Sequence, residues 1–192
     1  MAHLVAQYWS FAALAAVLVV SAITDVCKGK IYNAVTYSAI GAGLIGHTFA
    51  GGLAGDDRAM GLAGSAAGFA AGFGPMFAVW LMGGIGGGDA KLMGAVGALM
   101  GWRFTLEAMF LGLIVAALMA VVAILSRRVF RRTLARIFRF MYLALTPGKP
   151  ADPTTPESPK IPFGLALCIG SAAALVEVIL RGSEAQKLLL GI

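Results

Sequence analysis

Two aspartates carry the chemistry that this sequence could do. Asp89 closes the glycine run Gly86-Gly87-Gly88, between two stretches apolar enough to lie in a membrane. Asp25 stands at the exit of another apolar stretch, just before Lys28 and Lys30. A carboxylate at such a boundary is costly to place and is seldom idle. Two of them at one site can divide the work of hydrolysis. An ionised carboxylate takes a proton from water while a protonated one polarises the scissile carbonyl. Mutual repulsion keeps one of the pair protonated. Asp89 is expected to open a helix as its N-cap, where the helix dipole favours the charged form. That makes Asp89 the expected base and Asp25 the expected acid.

The elements that must bring these residues together are membrane helices. The chain has 192 residues, 59% of them hydrophobic and only 12% charged. A soluble domain carries about twice that charged fraction. The expected fold is an all-α integral membrane protein, one domain over residues 1–192. The net charge of +6 does not signal nucleic-acid binding, because the basic residues cluster in short loops. Cys27 and Cys168 form no CxxC pair, and His3 and His47 have no ligand spacing, so neither a metal nor a cofactor is expected.

Leu4 to Thr24 is long enough to cross a bilayer core of about 30 Å. Basic residues follow it, which places the N-terminus outside and Asp25 at the cytoplasmic face. Ala34 to Leu53 returns outward to the turn Gly55-Asp56-Asp57-Arg58, and Met60 to Met82 comes back in. Asp25 and Asp89 therefore fall on the same side. The stretch from Leu92 to Leu125 is read as two spans turning near Arg103 and Glu107, since a single span would put Arg127, Arg128, Arg131, Arg132, Arg136 and Arg139 outside. The fourth span, Leu92 to Trp102, is then short and draws the Gly86–Asp89 loop below the membrane surface. Ile161 to Leu180 is the sixth span, followed by a short outside tail.

Other features have structural readings. Gly64, Gly68 and Gly72, and Gly97 and Gly101, recur every four residues and suit close helix packing. Glu177 has Arg181 four residues on as a partner. Arg127 to Leu145 reads as a basic amphipathic helix on the inner leaflet. From Pro147 to Pro162 a proline falls at every third position, the period of polyproline II, which reads as a stiff linker. The basic helix and the proline-rich loop together make a cytoplasmic segment at 127–160.

The motifs resemble the type IV prepilin peptidases. Gly86-Gly87-Gly88-Asp89 with Ala90 and Lys91 is similar to the GxGD motif of that family. Thr24-Asp25 followed by Lys30-Ile31-Tyr32-Asn33 is similar to its first aspartate motif, and Lys160-Ile161-Pro162-Phe163-Gly164 to the segment that opens its last span. Tyr32 stands where the family commonly has proline. Presenilin-like proteases share GxGD, but their chains are much longer. The resemblance implies an aspartyl endopeptidase of the bacterial inner membrane that removes the basic leader of a prepilin at the cytoplasmic face. Asp25 and Asp89 would be catalytic, Gly86 and Gly88 would shape the loop, and Lys91 and Asn33 would support it. The paired CxxC motifs of the methyltransferase-bearing members are missing, which points to the compact form associated with Flp/Tad pili, with archaeal preflagellin peptidases as the nearest relatives otherwise. The expected partners are the prepilin substrate and the lipid bilayer, with a second copy of the chain as a further candidate. A reading from another class is a small membrane transporter or pilus assembly factor whose aspartates bind a cation or a proton. Such carboxylates would be expected near the midplane of the membrane rather than at one face.

Overall fold

The computed structural model describes residues 2–55, 60–126 and 162–190. Six helices are found among them: α1 (Ala2–Lys28), α2 (Asn33–Gly51), α3 (Leu62–Leu81), α4 (Gly87–Met100), α5 (Trp102–Ser126) and α6 (Phe163–Leu190). No strand occurs among the described residues. Four segments are long and apolar enough to cross a membrane: Trp9–Lys28, Leu62–Leu81, Trp102–Ala123 and Phe163–Leu180. The basic stretch Arg127–Leu145, the proline-rich run up to Lys160 and the turn at Asp56, Asp57 and Arg58 lie outside the described residues. So does the side chain of Arg181, the expected partner of Glu177.

The chain divides into two compact units, Met1–Val115 with Pro162–Ile192, and Ala116–Ile161. The described part of the second unit is the distal portion of α5.

In the first unit α4 is the central element and packs against α1, α2, α3 and α6. From Ala90 to Met100 every residue but Lys91 is buried. At about 21 Å, α4 is short for a hydrocarbon core of about 30 Å. Glycines let its neighbours close on it. A Cβ on Gly43 of α2 would lie 2.6 Å from the Ala98 carbonyl oxygen, and one on Gly68 of α3 would lie 2.7 Å from Gly101 Cα. Each contact needs the missing side chain, and Gly68 is one of the glycines whose four-residue spacing suits close packing.

Polar side chains secure the last turn of α4, whose carbonyls have no partner within the helix. His47 Nε2 meets the Leu99 oxygen at 2.9 Å, and Ser65 Oγ donates to the Ala98 oxygen at 2.6 Å. The Trp9 ring packs against His47 at a tilt of 48°, their ring centroids 5.0 Å apart. The helix then stops at Gly101, whose φ of 80° favours glycine. The turn between α4 and α5 is this one residue rather than a segment near Arg103 and Glu107. Both of those residues lie inside α5. The expectation followed the charges, whereas the chain turns at the residue that can reverse it. The first and last helices are also longer than expected. α1 runs on past Thr24, so Asp25 is helical, and α6 continues past Leu180 to Leu190.

Candidate active site

Asp25 sits in the last turn of α1. The Gly29 N–H returns to the Asp25 carbonyl at 2.8 Å, with Gly29 at φ 60°, so the helix ends one turn beyond the carboxylate. Asp25 Oδ2 accepts the backbone N–H of Leu165 at 2.8 Å. Leu165 is the third residue of α6, so this N–H is one of those that a helix leaves unpaired at its start. Nothing separates the carboxylate from α6, because a Cβ on Gly164 would come within 2.9 Å of Asp25 Oδ2.

Asp89 reaches its place through the turn after α3. That helix ends with Gly83 at φ 76°; the Gly83 N–H bonds to the Trp80 carbonyl at 2.9 Å and the Gly84 N–H to the Val79 carbonyl at 3.0 Å. This pair of bonds is the Schellman arrangement. Gly86 is the N-cap of α4, and Gly87 and Gly88 are already helical. Asp89 is thus the third helical residue rather than the N-cap. Its Oδ2 accepts the Gly86 N–H at 3.2 Å, the returning half of a capping box. Only Gly86 of the run Gly86–Gly88 belongs to the connecting turn. Gly87 and Gly88 leave room for neighbours: a Cβ on Gly87 would lie 3.2 Å from Trp80 Nε1, and one on Gly88 3.1 Å from Ile31 Cβ.

Both carboxylates are 9% exposed, and the Asp25 charge is near enough to act on Asp89. Each also rests on the N–H of a helix N-terminus. The dipole argument that singled out Asp89 from sequence applies equally to Asp25, through α6. The two helix ends favour negative charge on each group, while repulsion disfavours charge on both at once. The buried Cys168 thiol of α6 lies within range of both charges.

Lys91 and Asn33, far apart in sequence, are brought together, with Lys91 Nζ donating to Asn33 Oδ1 at 2.9 Å. The same ammonium stands 5.0 Å from the Tyr37 ring centroid. Lys28 Nζ and the Tyr32 hydroxyl are 2.9 Å apart. Sequence reasoning missed the Leu165 N–H and gave Ile31 and Gly164, named within the motifs, no role of their own. A proline and a glycine at the head of an apolar helix, Pro162-Phe163-Gly164, were the available signal of a helix start with an open first turn. Among the described residues no group of three or more His, Cys, Asp or Glu side chains could hold a metal ion.

Residues 12–121 match the type IV leader peptidase family. The chain belongs to that family. The match covers more than half of this leader peptidase and includes Asp25, Asn33, Asp89 and Lys91. It ends within α5, so the Gly164-Leu165 contribution to the site comes from outside it. No curated protein and no solved structure matches the chain.

Proposed function

We propose that this leader peptidase is an aspartyl endopeptidase that removes the leader of a type IV or Flp-type prepilin, with Asp25 and Asp89 as the catalytic pair. The observation that carries the reading is the pairing itself. Two buried carboxylates, from helices α1 and α4, are each held by a helix N-terminal N–H, and the Asp25 charge reaches Asp89. No other acidic residue is buried among the described ones.

The pair works with one shared proton. The ionised carboxylate takes a proton from water as the water oxygen bonds to the scissile carbonyl carbon. The protonated carboxylate gives its proton to the carbonyl oxygen. The tetrahedral diol then collapses: the C–N bond breaks, the nitrogen leaves with a proton from the pair, and the diol returns a proton to it. The dyad ends with the one proton it began with. The N–H groups of Leu165 and Gly86 keep the carboxylates in place throughout. Lys91 and Asn33 brace the N-terminal part of α4 against α2, Gly86 keeps the space beside the Asp89 carboxylate free of a side chain, and Gly88 makes room for Ile31.

The chain would cross the inner membrane six times, with the N-terminus outside and the pair at the cytoplasmic face. The short α4, enclosed by its neighbours, would be one of the crossings. The distribution of Lys and Arg supports this orientation. Cys27 and Cys168 form no CxxC pair, which favours the Flp/Tad-type reading over the methyltransferase-bearing form.

Cleavage of a purified prepilin by the purified protein in detergent is the test. Asp25→Asn and Asp89→Asn should each abolish cutting while inserting and folding normally, because the amide keeps the size but exchanges no proton. Substantial cleavage by either variant overturns the aspartyl reading. An active pair that moves a cation or protons and cuts nothing would favour a transporter.

A further inference from the structure

Ile31 occupies the short connection between Asp25 and α2 and packs, half-buried, against the core. Two glycines face it. A Cβ on Gly88 would lie 3.1 Å from Ile31 Cβ, and a Cβ on Gly164 would lie 2.7 Å from Ile31 Cδ1. These glycines are not ordinary neighbours. Gly88 precedes Asp89 in the first turn of α4. Gly164 precedes Leu165, whose N–H holds Asp25, in the first turn of α6. One side chain is therefore wedged against both the helix start that carries Asp89 and the helix start that holds Asp25, and it hangs on the loop that leaves Asp25.

We propose that Ile31 is a positioning residue, a spacer whose width fixes the separation of the Asp25 and Asp89 carboxylates. A β-branched side chain is stiff at χ1, so it keeps a defined width where a longer unbranched one would yield. Glycine on either side lets the spacer meet backbone directly, and close packing transmits its size to the helix ends. Truncation would leave a gap into which the two first turns can collapse. Displacing catalytic groups by about 1 Å can cost on the order of a hundredfold in rate. The inference rests on the aspartyl reading of the pair.

The test uses full-length protein in detergent with a purified prepilin as substrate. Ile31→Ala should lower kcat by roughly 10–100-fold and leave KM within about threefold, because the spacer does not touch substrate. Ile31→Val keeps the branched Cβ that faces Gly88 but loses the Cδ1 that faces Gly164, so its kcat should lie between those of the parent and Ile31→Ala. Folded yield and melting temperature are measured for each variant. An unchanged kcat with Ile31→Ala overturns the proposal. So does a raised KM with kcat preserved, a loss of activity that merely tracks folded protein, or an Ile31→Val variant as slow as Ile31→Ala. A second readout does not depend on proteolysis. Gly88→Cys and Gly164→Cys are combined in a background carrying Cys27→Ser and Cys168→Ser, and oxidative crosslinking is followed on denaturing gels. Crosslinking should rise several-fold when Ile31→Ala is added, and an unchanged yield counts against the spacer. A parent protein that cuts no prepilin refutes the functional reading alone, and the crosslinking result still decides the role of Ile31.

Discussion

Asp25 Oδ2 and the backbone N–H of Leu165 are 2.8 Å apart, although 140 positions separate them in the chain. The bond ties the end of the first helix to the start of the last. It gives Asp25 what Asp89 obtains locally from Gly86: a donor at a helix N-terminus, fixed by backbone rather than by a side chain. A hydrogen bond between an ionised group and a backbone N–H is stronger than a neutral one. Its geometry also does not depend on a rotamer of the donor.

Gly164 keeps this bond possible. A Cβ there would lie 2.9 Å from Asp25 Oδ2, 3.0 Å from Asp25 Cγ and 2.7 Å from Ile31 Cδ1. The Ile31 methyl end can shift, but the carboxylate is the shorter and more constrained partner. Gly164→Ala should therefore lower kcat on prepilin at least tenfold, of the order expected for about 1 Å of misplacement. Folded yield should stay near that of the parent, since alanine is a better helix former than glycine. Cleavage at the parental rate would mean that the Asp25–Leu165 contact does not matter to the reaction.

The two carboxylates were legible in the sequence because charge in an apolar chain is conspicuous. Lys91 and Asn33 were singled out only through the resemblance, and their contact with each other was not legible, for nothing in their spacing links them. The Leu165 donor was not legible, because a backbone N–H has no residue type. Its nearest sign is the Pro162-Phe163-Gly164 helix start. The glycine run was recognised, but as a loop. The first turn of a helix needs no side chains of its own, so Gly87 and Gly88 can be helical there and give their space to Trp80 and Ile31. The turn between α4 and α5 was misplaced toward Arg103 and Glu107 for the opposite reason. Charges suggest a boundary, yet it is Gly101 that has the required positive φ.

The glycines of α4 and α2 separate packing from propensity. A Cβ on Gly97 would lie 2.9 Å from the Phe69 backbone nitrogen, with the Gly68 backbone closer still, and neither atom can step aside without moving α3. Gly41, inside α2, has nothing within 4 Å of its Cβ position. Gly97→Ala should destabilise the protein by roughly 1–3 kcal/mol through overpacking. Gly41→Ala should stabilise it by about 0.5–1 kcal/mol, the usual helix gain over glycine. Thermal unfolding in detergent, followed by helical circular dichroism, compares them. Equal shifts for the two variants would remove the case for backbone contact between α3 and α4.

Tyr32 offers a test of the connection that leads out of the site. It is the N-cap of α2, with φ −77° and ψ 130°, and its side chain makes no capping bond. That φ lies in the range that a proline ring imposes, and the Tyr32 N–H donates to no backbone carbonyl among the described residues. A proline therefore fits without breaking a main-chain bond, and it narrows the freedom of the unfolded chain. Tyr32→Pro should raise stability by about 0.4–1 kcal/mol, less whatever the exposed bond between Lys28 and the Tyr32 hydroxyl contributes. Cleavage of prepilin should stay within about threefold of the parent, since the substituted ring keeps the backbone path from Asp25 through Ile31 into Asn33. Tyr32→Ala separates the two effects: it loses the hydroxyl and gains no rigidity, so it should be no more stable than the parent. If Tyr32→Pro unfolds at a lower temperature than Tyr32→Ala, the native backbone at residue 32 does not accept a proline, and the N-cap geometry described for Tyr32 is wrong.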